Sequence, residues 1–146
     1  MIRPATPEDV PVIMQLIREL AEYEKAPHEV TNTEEQLLAD GFGENPVFGA
    51  FLAEIDGKVV GMLLYYTRYS TWKAKRLYVE DIIVQEAFRG NGIGKKLLDT
   101  TIEYAKKKGF SGLNWQVLDW NEPAINFYKK YDVNFDTEWW NVSINF

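Results

Sequence analysis

Residues 89–96 read RGNGIGKK, which places three glycines within five positions and cationic side chains at both ends. An apolar stretch, VEDIIV, comes shortly before this loop, and the segment LLDTTIEYAKKKG follows it. Glycines allow backbone N–H groups to approach an anion closely, and the N-terminus of a helix adds partial positive charge. A strand that continues through such a turn into a helix is typical of a phosphate-binding site.

Two carboxylates, Glu80 and Asp81, interrupt the apolar stretch before the loop. In a regular strand the two side chains point to opposite faces, and Asp81 shares its face with Val79 and Ile83. Charges among such neighbours are costly to bury unless they are paired or used. Two explanations are open: a carboxylate pairs with a nearby cation such as Arg76, or it serves chemistry that needs an acid or a base.

Two common phosphate-binding motifs do not fit the loop. A P-loop needs glycine at position 89 and Ser or Thr at position 96, where this chain has Arg89 and Lys96. A dinucleotide fingerprint that uses Gly90 and Gly92 needs a third glycine at position 95, which is Lys95. Two explanations are left: the loop binds a different kind of phosphate ligand, or it is a glycine-rich turn with a solvated cationic rim.

Composition narrows the classes of function. The chain contains no cysteine, which excludes disulfides, thiolate zinc sites and cysteine nucleophiles. Its single histidine, His28, excludes a multi-histidine cluster, and we expect no metal. A formal net charge of −6 argues against non-specific nucleic-acid binding and is compatible with a cationic ligand.

The length of 146 residues predicts one domain over residues 1–146. The N-terminal segment MIRPATPEDV has no apolar region typical of a secretory signal. The longest apolar run, residues 59–66, is too short to span a membrane. We therefore expect a cytoplasmic protein that has no membrane partner.

The hydrophobic pattern predicts strands that interleave with helices. The predicted strands are residues 2–4, 47–55, 58–67, 76–84, 112–118 and 137–146, and the predicted helices are residues 6–24, 33–40, 92–108 and 121–131. Thr6 and Thr33 are typical N-cap residues, and Asp56-Gly57 is a strong hairpin signal. This order predicts an α/β or α+β fold with a mixed sheet.

The spacing Arg-x-x-Gly-x-Gly over residues 89–94 resembles the acetyl-CoA pyrophosphate loop of the GNAT N-acetyltransferase superfamily. Six segments are similar, in order, to the spermidine/spermine N-acetyltransferase group and its thialysine-acetylating relatives: IRPATPEDV, ELAEYEK, DGFGENPVF, LYVEDIIV, RGNGIGKKLL and WNEPAINFYKK. Together these segments span nearly the whole chain. The resemblance implies a GNAT fold, with a mixed twisted sheet flanked by helices and an acetyl-CoA cleft between splayed parallel strands.

The resemblance also implies direct transfer of an acetyl group from acetyl-CoA to a primary amine of a small cationic acceptor, such as a polyamine, a diamine or thialysine. The residues it implies for acetyl-CoA binding are Ile82, Ile83, Val84, Arg89, Gly90, Asn91, Gly92, Ile93, Gly94, Lys95, Asn121 and Ala124. Backbone N–H groups of residues 82–84 would polarise the thioester carbonyl. Asn121 is equally well explained as the N-cap of the helix that follows it.

Glu80 and Tyr128 match the catalytic positions of the family. A primary amine has a pKa of roughly 10.4 and must lose a proton before it attacks a thioester. Glu80 would hold the ammonium and accept or relay that proton, and Tyr128 would protonate the departing thiolate. The residues implied for the acceptor side are Tyr23, Glu24, Glu80, Asp81, Trp115 and Glu138. Structural roles stay open for several of them, as helix-end residues, as a core side chain or, for Asp81, in an ion pair.

The chain departs from the family near its C-terminus. Asp132 stands where the family usually has glycine, and the region 132–140 looks abbreviated, which leaves the acceptor contacts of that region open. The alternatives to a small-amine acetyltransferase are a protein or peptide acetyltransferase and a CoA-binding module without turnover. The exposed edge of a closing strand, together with the resemblance, predicts a homodimer.

Overall fold

The computed structural model describes residues 1–146. It contains the strands β1 (Ile2–Pro4), β2 (Gly49–Ile55), β3 (Lys58–Ser70), β4 (Ala74–Val84) and β5 (Leu113–Trp115), and the helices α1 (Val10–Tyr23), α2 (Glu34–Phe42), α3 (Ile93–Lys107) and α4 (Glu122–Tyr128). The strands form one sheet in the order β1-β2-β3-β4-β5. Neighbours from β1 to β4 are antiparallel, and β5 is parallel to β4. The predicted α/β fold with a mixed sheet is therefore confirmed.

Two compact units divide the chain, residues 1–116 and residues 117–146. The first unit contains the whole sheet with α1, α2 and α3, and the second contains α4 and the segment that follows it. The single domain expected from the length of the chain stays a prediction.

A polar network fixes the start of α1 against the sheet. The Asp9 carboxylate accepts hydrogen bonds from the Thr6 N–H at 2.7 Å and from the two Nη atoms of Arg3 at 2.8 and 2.9 Å. Arg3 Nε also donates to Glu54 in β2 at 2.6 Å. The hydrogen bonds from Arg3 lower the pKa of Asp9 to about 2, so this carboxylate stays ionised at neutral pH. Thr6, predicted as the start of α1, instead precedes a 3-10 turn at Pro7–Asp9, and α1 begins at Val10. The network ties this turn to both β1 and β2.

Apolar side chains of α1 and α3 cover opposite faces of the sheet. Leu16 of α1 is fully buried in one cluster with Leu64 of β3. The next residue of β3, Tyr65, points to the other face, where its ring centre lies 5.3 Å from that of Tyr104 in α3. Burying an Ile or Leu side chain stabilises a fold by roughly 1.5–3 kcal/mol. Apolar packing on the two faces of the sheet therefore holds α1 and α3 against the central strands.

β4 has a continuous partner on one side only. It pairs with β3 along its length but with β5 over just three residues, from Leu77–Leu113 to Val79–Trp115. Beyond Val79, β4 continues to Val84 without a strand on its β5 side. Because alternate residues of an antiparallel ladder direct their N–H and C=O groups away from the partner strand, β4 presents free backbone groups there.

The closing strand predicted at residues 137–146 is not formed. The chain has no helix or strand after Tyr128, and the side chains of Trp139, Trp140, Val142, Ile144 and Phe146 are all strongly exposed. Alternating apolar residues give residues 137–146 the pattern of a strand. A strand, however, forms its backbone hydrogen bonds with a neighbouring strand, and residues 117–146 contain no strand. β5 is also shorter than predicted and ends at Trp115.

Candidate active site

The glycine-rich loop has empty space around two of its glycines, where other residues would carry side chains. Gly90 and Gly92 adopt left-handed backbone angles, with φ of 81° and 74°. A Cβ atom added at either position would meet no atom within 4 Å. Gly94 does not share this conformation, because it lies in the first turn of α3. The two left-handed glycines therefore shape the loop and leave its backbone accessible.

The N-terminus of α3 has no side-chain cap. Its N-cap residue is Gly92, and the first backbone hydrogen bond of the helix runs from Lys96 N–H to the Gly92 carbonyl at 3.1 Å. The N–H groups of Ile93, Gly94 and Lys95 therefore precede the intrahelical bonds. Together with the open glycines, these groups fit an anion such as the pyrophosphate of a nucleotide cofactor.

Two of the side chains predicted to bind this anion already have partners in the loop. The Asn91 amide donates to the carbonyls of Phe88 at 3.1 Å and Arg89 at 3.4 Å, which stabilises the turn itself. Lys95 forms a salt bridge with Asp99 one turn further along α3. These contacts leave the backbone N–H groups of the loop as its groups best suited to hold an anion.

A β-bulge in β4 changes the orientation of the carboxylates. Leu64 of β3 lies opposite Asp81, and the next residue, Tyr65, lies opposite Val79, so Glu80 has no partner in β3. Val79 and Asp81 therefore lie on opposite faces of the sheet, and the prediction that they share a face is wrong. Glu80 is exposed, whereas Asp81 lies on the face that carries the buried Leu64.

Asp81 is a largely buried carboxyl group among other acids. Burial raises its pKa to about 7, and the charges of Glu80 and Glu24 add to this effect. Burial also raises the pKa of Glu24, which caps the C-terminus of α1. Arg76 does not neutralise Asp81, since it donates to Asn114 Oδ1 at 2.9 Å and to backbone carbonyls. The explanation of Asp81 as a partner of Arg76 is therefore wrong.

The charge of Glu80 also reaches the tyrosines beside it. Burial and the nearby Glu80 raise the pKa values of Tyr66 and Tyr78, whose rings lie 5.1 Å apart. Glu24, Glu80 and Asp81 form no salt bridge with any residue of the chain. The first unit thus contains three neighbouring carboxyl groups without a protein cation, and we call them the acidic cluster. Such a cluster favours a bound cation or a bound proton.

Other predicted residues of the first unit lie at element ends. Tyr23 is the last residue of α1 and is partly exposed. Trp115 is the last residue of β5, where the pairing with β4 ends, and is half-buried. Ile82, Ile83 and Val84 follow the bulge in β4, on the stretch that has no neighbour on its β5 side.

The remaining predicted residues belong to the second unit. Asn121 is the N-cap of α4, as predicted, and its Oδ1 atom accepts a hydrogen bond from Ala124 N–H at 3.4 Å. Tyr128, the last residue of α4, is buried. Glu138 lies in the segment without secondary structure, where its N–H donates to Asp136 Oδ1 at 3.0 Å.

Two contacts between α1 and the segment after β4 were not predicted from the sequence. Gln85 Nε2 donates to Glu19 Oε1 at 3.2 Å, and the guanidinium carbon of Arg89 lies 5.0 Å from the centre of the Tyr23 ring. Glu19 and Tyr23 are four residues apart, as are Gln85 and Arg89. Residues at this spacing lie on one side of a helix, but the sequence does not indicate that α1 packs beside β4, so it could not predict the two contacts.

Together these features define a mixed α/β protein in which β4 carries two carboxyl groups of the acidic cluster and leads into an open glycine-rich loop at the N-terminus of α3. Residues 13–132 match the acetyltransferase (GNAT) family, and the chain belongs to this family of N-acetyltransferases. GNAT acetyltransferases use acetyl-CoA as their donor. None of the helices is both long and apolar enough to cross a bilayer. No group of three or more His, Cys, Asp or Glu side chains is arranged to hold a metal ion.

Several known proteins are similar to this chain. It is 49% identical over 146 residues to a thialysine N-epsilon-acetyltransferase of Bos taurus, covering 94% of this chain and 86% of the relative. A spermidine/spermine N(1)-acetyltransferase-like protein 1 of Homo sapiens is 38% identical over 134 residues, which cover 87% of this chain and 19% of that protein. The crystal structure of an aminoglycoside acetyltransferase from an uncultured soil metagenomic sample superimposes with a TM-score of 0.81 at 23% identity, covering 100% of this chain and 95% of that one. This last similarity concerns the fold.

Replacing Gly92 with alanine is expected to weaken the binding of coenzyme A. The added Cβ would occupy the open side of the loop and disfavour the positive φ that the turn needs. We expect the dissociation constant, measured by calorimetry, to rise at least about tenfold. Gly57, in the hairpin between β2 and β3, has a φ of 77° and equally open surroundings. Gly57→Ala is therefore a matched control for backbone strain, and an equal loss of affinity in both variants would contradict the assignment of the loop.

Asp81→Asn is expected to stabilise the free protein at alkaline pH. A carboxyl group whose pKa rises to about 7 on folding destabilises the folded state when it is ionised, by up to roughly 4 kcal/mol above pH 7. The penalty is absent below about pH 3, where the group is protonated in both states, and grows as the pH rises to 7. Urea unfolding should show a gain of about 2–4 kcal/mol at pH 8 and almost none at about pH 3. The exposed Glu86→Gln serves as the control, and a gain that does not depend on pH would contradict the buried-acid account.

Proposed function

We propose that this N-acetyltransferase moves the acetyl group of acetyl-CoA directly to a primary amine of a small cationic acceptor. The observation that carries the proposal is the acidic cluster of Glu24, Glu80 and Asp81, which has no protein cation beside it. A di- or polyamine supplies the missing positive charges. Because the carboxyl groups stand on α1 and on β4, they could contact more than one nitrogen of an extended acceptor.

The donor is proposed to bind at the glycine-rich loop. Its pyrophosphate would accept hydrogen bonds from the free N–H groups at the start of α3, with Arg89 as the neighbouring cation. The unpaired side of β4 after Val79 supports a second contact, in which backbone N–H groups of residues 82–84 face the thioester carbonyl. When bound, acetyl-CoA supplies an activated acetyl group and a thiol leaving group. The family resemblance also implies Asn121 and Ala124 for donor binding.

The proton of the acceptor amine is proposed to leave through the carboxyl groups of β4. Glu80 is exposed and would hold the incoming ammonium, directly or through water. Asp81, with a pKa of about 7, is suited to take up the proton near neutral pH. Tyr128 would return a proton to the departing thiolate. Trp115 and Glu138 are further candidates for the acceptor side.

The choice of a cationic acceptor rests on charge and on the relatives. The first 40 residues contain nine acids and three bases, and the chain carries a formal net charge of −6. Two similar proteins bear the names thialysine N-epsilon-acetyltransferase and spermidine/spermine N(1)-acetyltransferase-like protein 1. Thialysine and the polyamines share a primary amine with further charges along an extended chain.

The proposal extends to the domain organisation and the oligomeric state. The family match over residues 13–132 includes parts of both compact units and supports one GNAT domain. Exposed, alternating apolar residues from Trp140 to Phe146 support a homodimer in which this segment finds a partner. A cytoplasmic location and the lack of nucleic-acid partners stay predictions.

An amine panel with acetyl-CoA tests the proposed acceptor. Each exposed ammonium–carboxylate contact contributes up to about 1 kcal/mol, so spermidine, a diamine or thialysine should exceed a monoamine by up to about fivefold in kcat/KM for each additional contact. The advantage should shrink with added salt, because salt screens exposed charges. Glu24→Gln should reduce the advantage chiefly through KM, whereas Glu22→Gln, an exposed acid of the same helix, should leave it in place.

The same panel separates the alternatives. Faster acetylation of a peptide N-terminus or peptide lysine at equal salt would show that the acceptor is a protein or peptide. Equal rates for a monoamine and a polyamine would contradict the role of the acidic cluster. Binding of acetyl-CoA without transfer to any amine would support the module without turnover.

The pH dependence of kcat/KM tests the proposed proton acceptor. In the wild type, kcat/KM should rise with pH through an apparent pKa near 7, since only ionised Asp81 accepts a proton. Glu80→Gln removes a negative charge that raises the pKa of Asp81, so any remaining activity should rise with pH through a lower apparent pKa. In Asp81→Asn this rise of kcat/KM with pH should disappear. A rise that stays near pH 7 in Asp81→Asn would assign the proton acceptor elsewhere.

A further inference from the structure

Two contacts hold the guanidinium group of Arg89 in the free protein. Its Nε atom donates to the carbonyl oxygen of Val84 at 2.9 Å, and its central carbon lies 5.0 Å from the centre of the Tyr23 ring. Neither Nη atom donates to another residue, and Arg89 takes part in no salt bridge. The two Nη atoms are therefore available to a ligand, although the Nε hydrogen bond and the ring contact already orient the guanidinium group.

A hydrogen bond next to this contact connects the same two segments. Gln85 Nε2 donates to the two carboxylate oxygens of Glu19 at 3.2 and 3.4 Å. Glu19 and Tyr23 are neighbours on one side of α1 because they are four residues apart. The segment that leads from β4 into the loop thus rests against α1 at two points, one at Gln85 and one at Arg89.

Holding Arg89 in place has a consequence for anion binding. A free arginine side chain loses rotamer freedom when it forms a bidentate contact, and a planar partner that already orients the guanidinium reduces this loss. An aromatic ring within about 6 Å also attracts the cation itself. At a distance of 5.0 Å, the Tyr23 ring meets this condition.

We propose that Tyr23 is a positioning residue for Arg89, which it holds so that the two Nη atoms face the diphosphate of the donor. The inference rests on the proposed function, in which Arg89 contacts that diphosphate. It assigns Tyr23 to the donor side, whereas the family resemblance implied the acceptor side. The last turn of α1 then serves both substrates, with Tyr23 acting on the donor through Arg89 and Glu24 facing the acceptor.

A comparison of two donors tests this role. S-acetylpantetheine carries the same thioester as acetyl-CoA but has no diphosphate. In Tyr23→Leu, the ratio of kcat/KM for acetyl-CoA to kcat/KM for S-acetylpantetheine should fall about two- to fivefold, the range of an exposed cation–π contact. Tyr23→Phe keeps the ring and should restore the ratio. Tyr69→Leu, which removes an exposed ring at the end of β3, should leave the ratio at its wild-type value.

A double-mutant cycle on coenzyme A affinity completes the test. Tyr23→Leu should weaken binding in the wild-type background, but it should have no further effect in Arg89→Ala, because the group it positions is gone. An unchanged donor ratio, or equal losses in both backgrounds, would overturn the proposal. Thermal unfolding of each variant identifies a loss that comes from misfolding. If the wild type neither binds coenzyme A nor uses either donor, the proposed function itself has failed.

Discussion

The burial of Asp81 beside two other carboxyl groups is the constraint on which the rest of the site depends. An ionised carboxylate in such a position is unfavourable unless a proton or a cation reaches it. The chain supplies no cation, since Arg76 is bonded to Asn114 and to backbone carbonyls. The fold therefore keeps an acid whose proton is exchangeable near neutral pH, with a pKa of about 7. A cationic amine that brings its own proton is the ligand that this arrangement suits best.

One strand connects this acid to the rest of the proposed chemistry. The bulge at Glu80 places Asp81 on the α1 face, and the following residues lose their neighbour on the β5 side. At the end of the same strand, the Val84 carbonyl holds Arg89 at the start of the glycine-rich loop. β4 therefore places Glu80, Asp81, the free backbone groups and the start of the loop, and the end of α1 adds Glu24 to the acidic cluster. The cores on both faces of the sheet keep β4 in position.

Features that depend on local sequence were predicted well. The hairpin at Asp56-Gly57, the N-cap residues Thr33 and Asn121 and the turn at Gly92 each rest on a preference of one or two residues for a backbone conformation. The family motifs located the loop and the pair of carboxylates for the same reason. These preferences and motifs involve only a few consecutive residues and can therefore be recognised in the sequence.

Features that depend on distant partners were not predicted. The bulge at Glu80 is a mismatch in register between β3 and β4, which alternation within β4 cannot indicate. The tail from Trp140 to Phe146 has the pattern of a strand but forms none. The contact of Arg89 with Tyr23 joins segments 66 residues apart, and it follows from the packing of α1 rather than from either motif.

A direct titration of the Asp81 carboxyl group is the decisive measurement. In protein labelled with carbon-13 at the aspartate carboxyl positions, the resonance missing from Asp81→Asn identifies Asp81, and its chemical shift can be followed by NMR from pH 3 to pH 9. The account predicts a midpoint near 7, well above the value of about 3.9 for an unperturbed aspartate. A midpoint below about 5 would mean that Asp81 is ionised at low energetic cost. That result would contradict both the acidic cluster as the basis of cation binding and Asp81 as the proton acceptor.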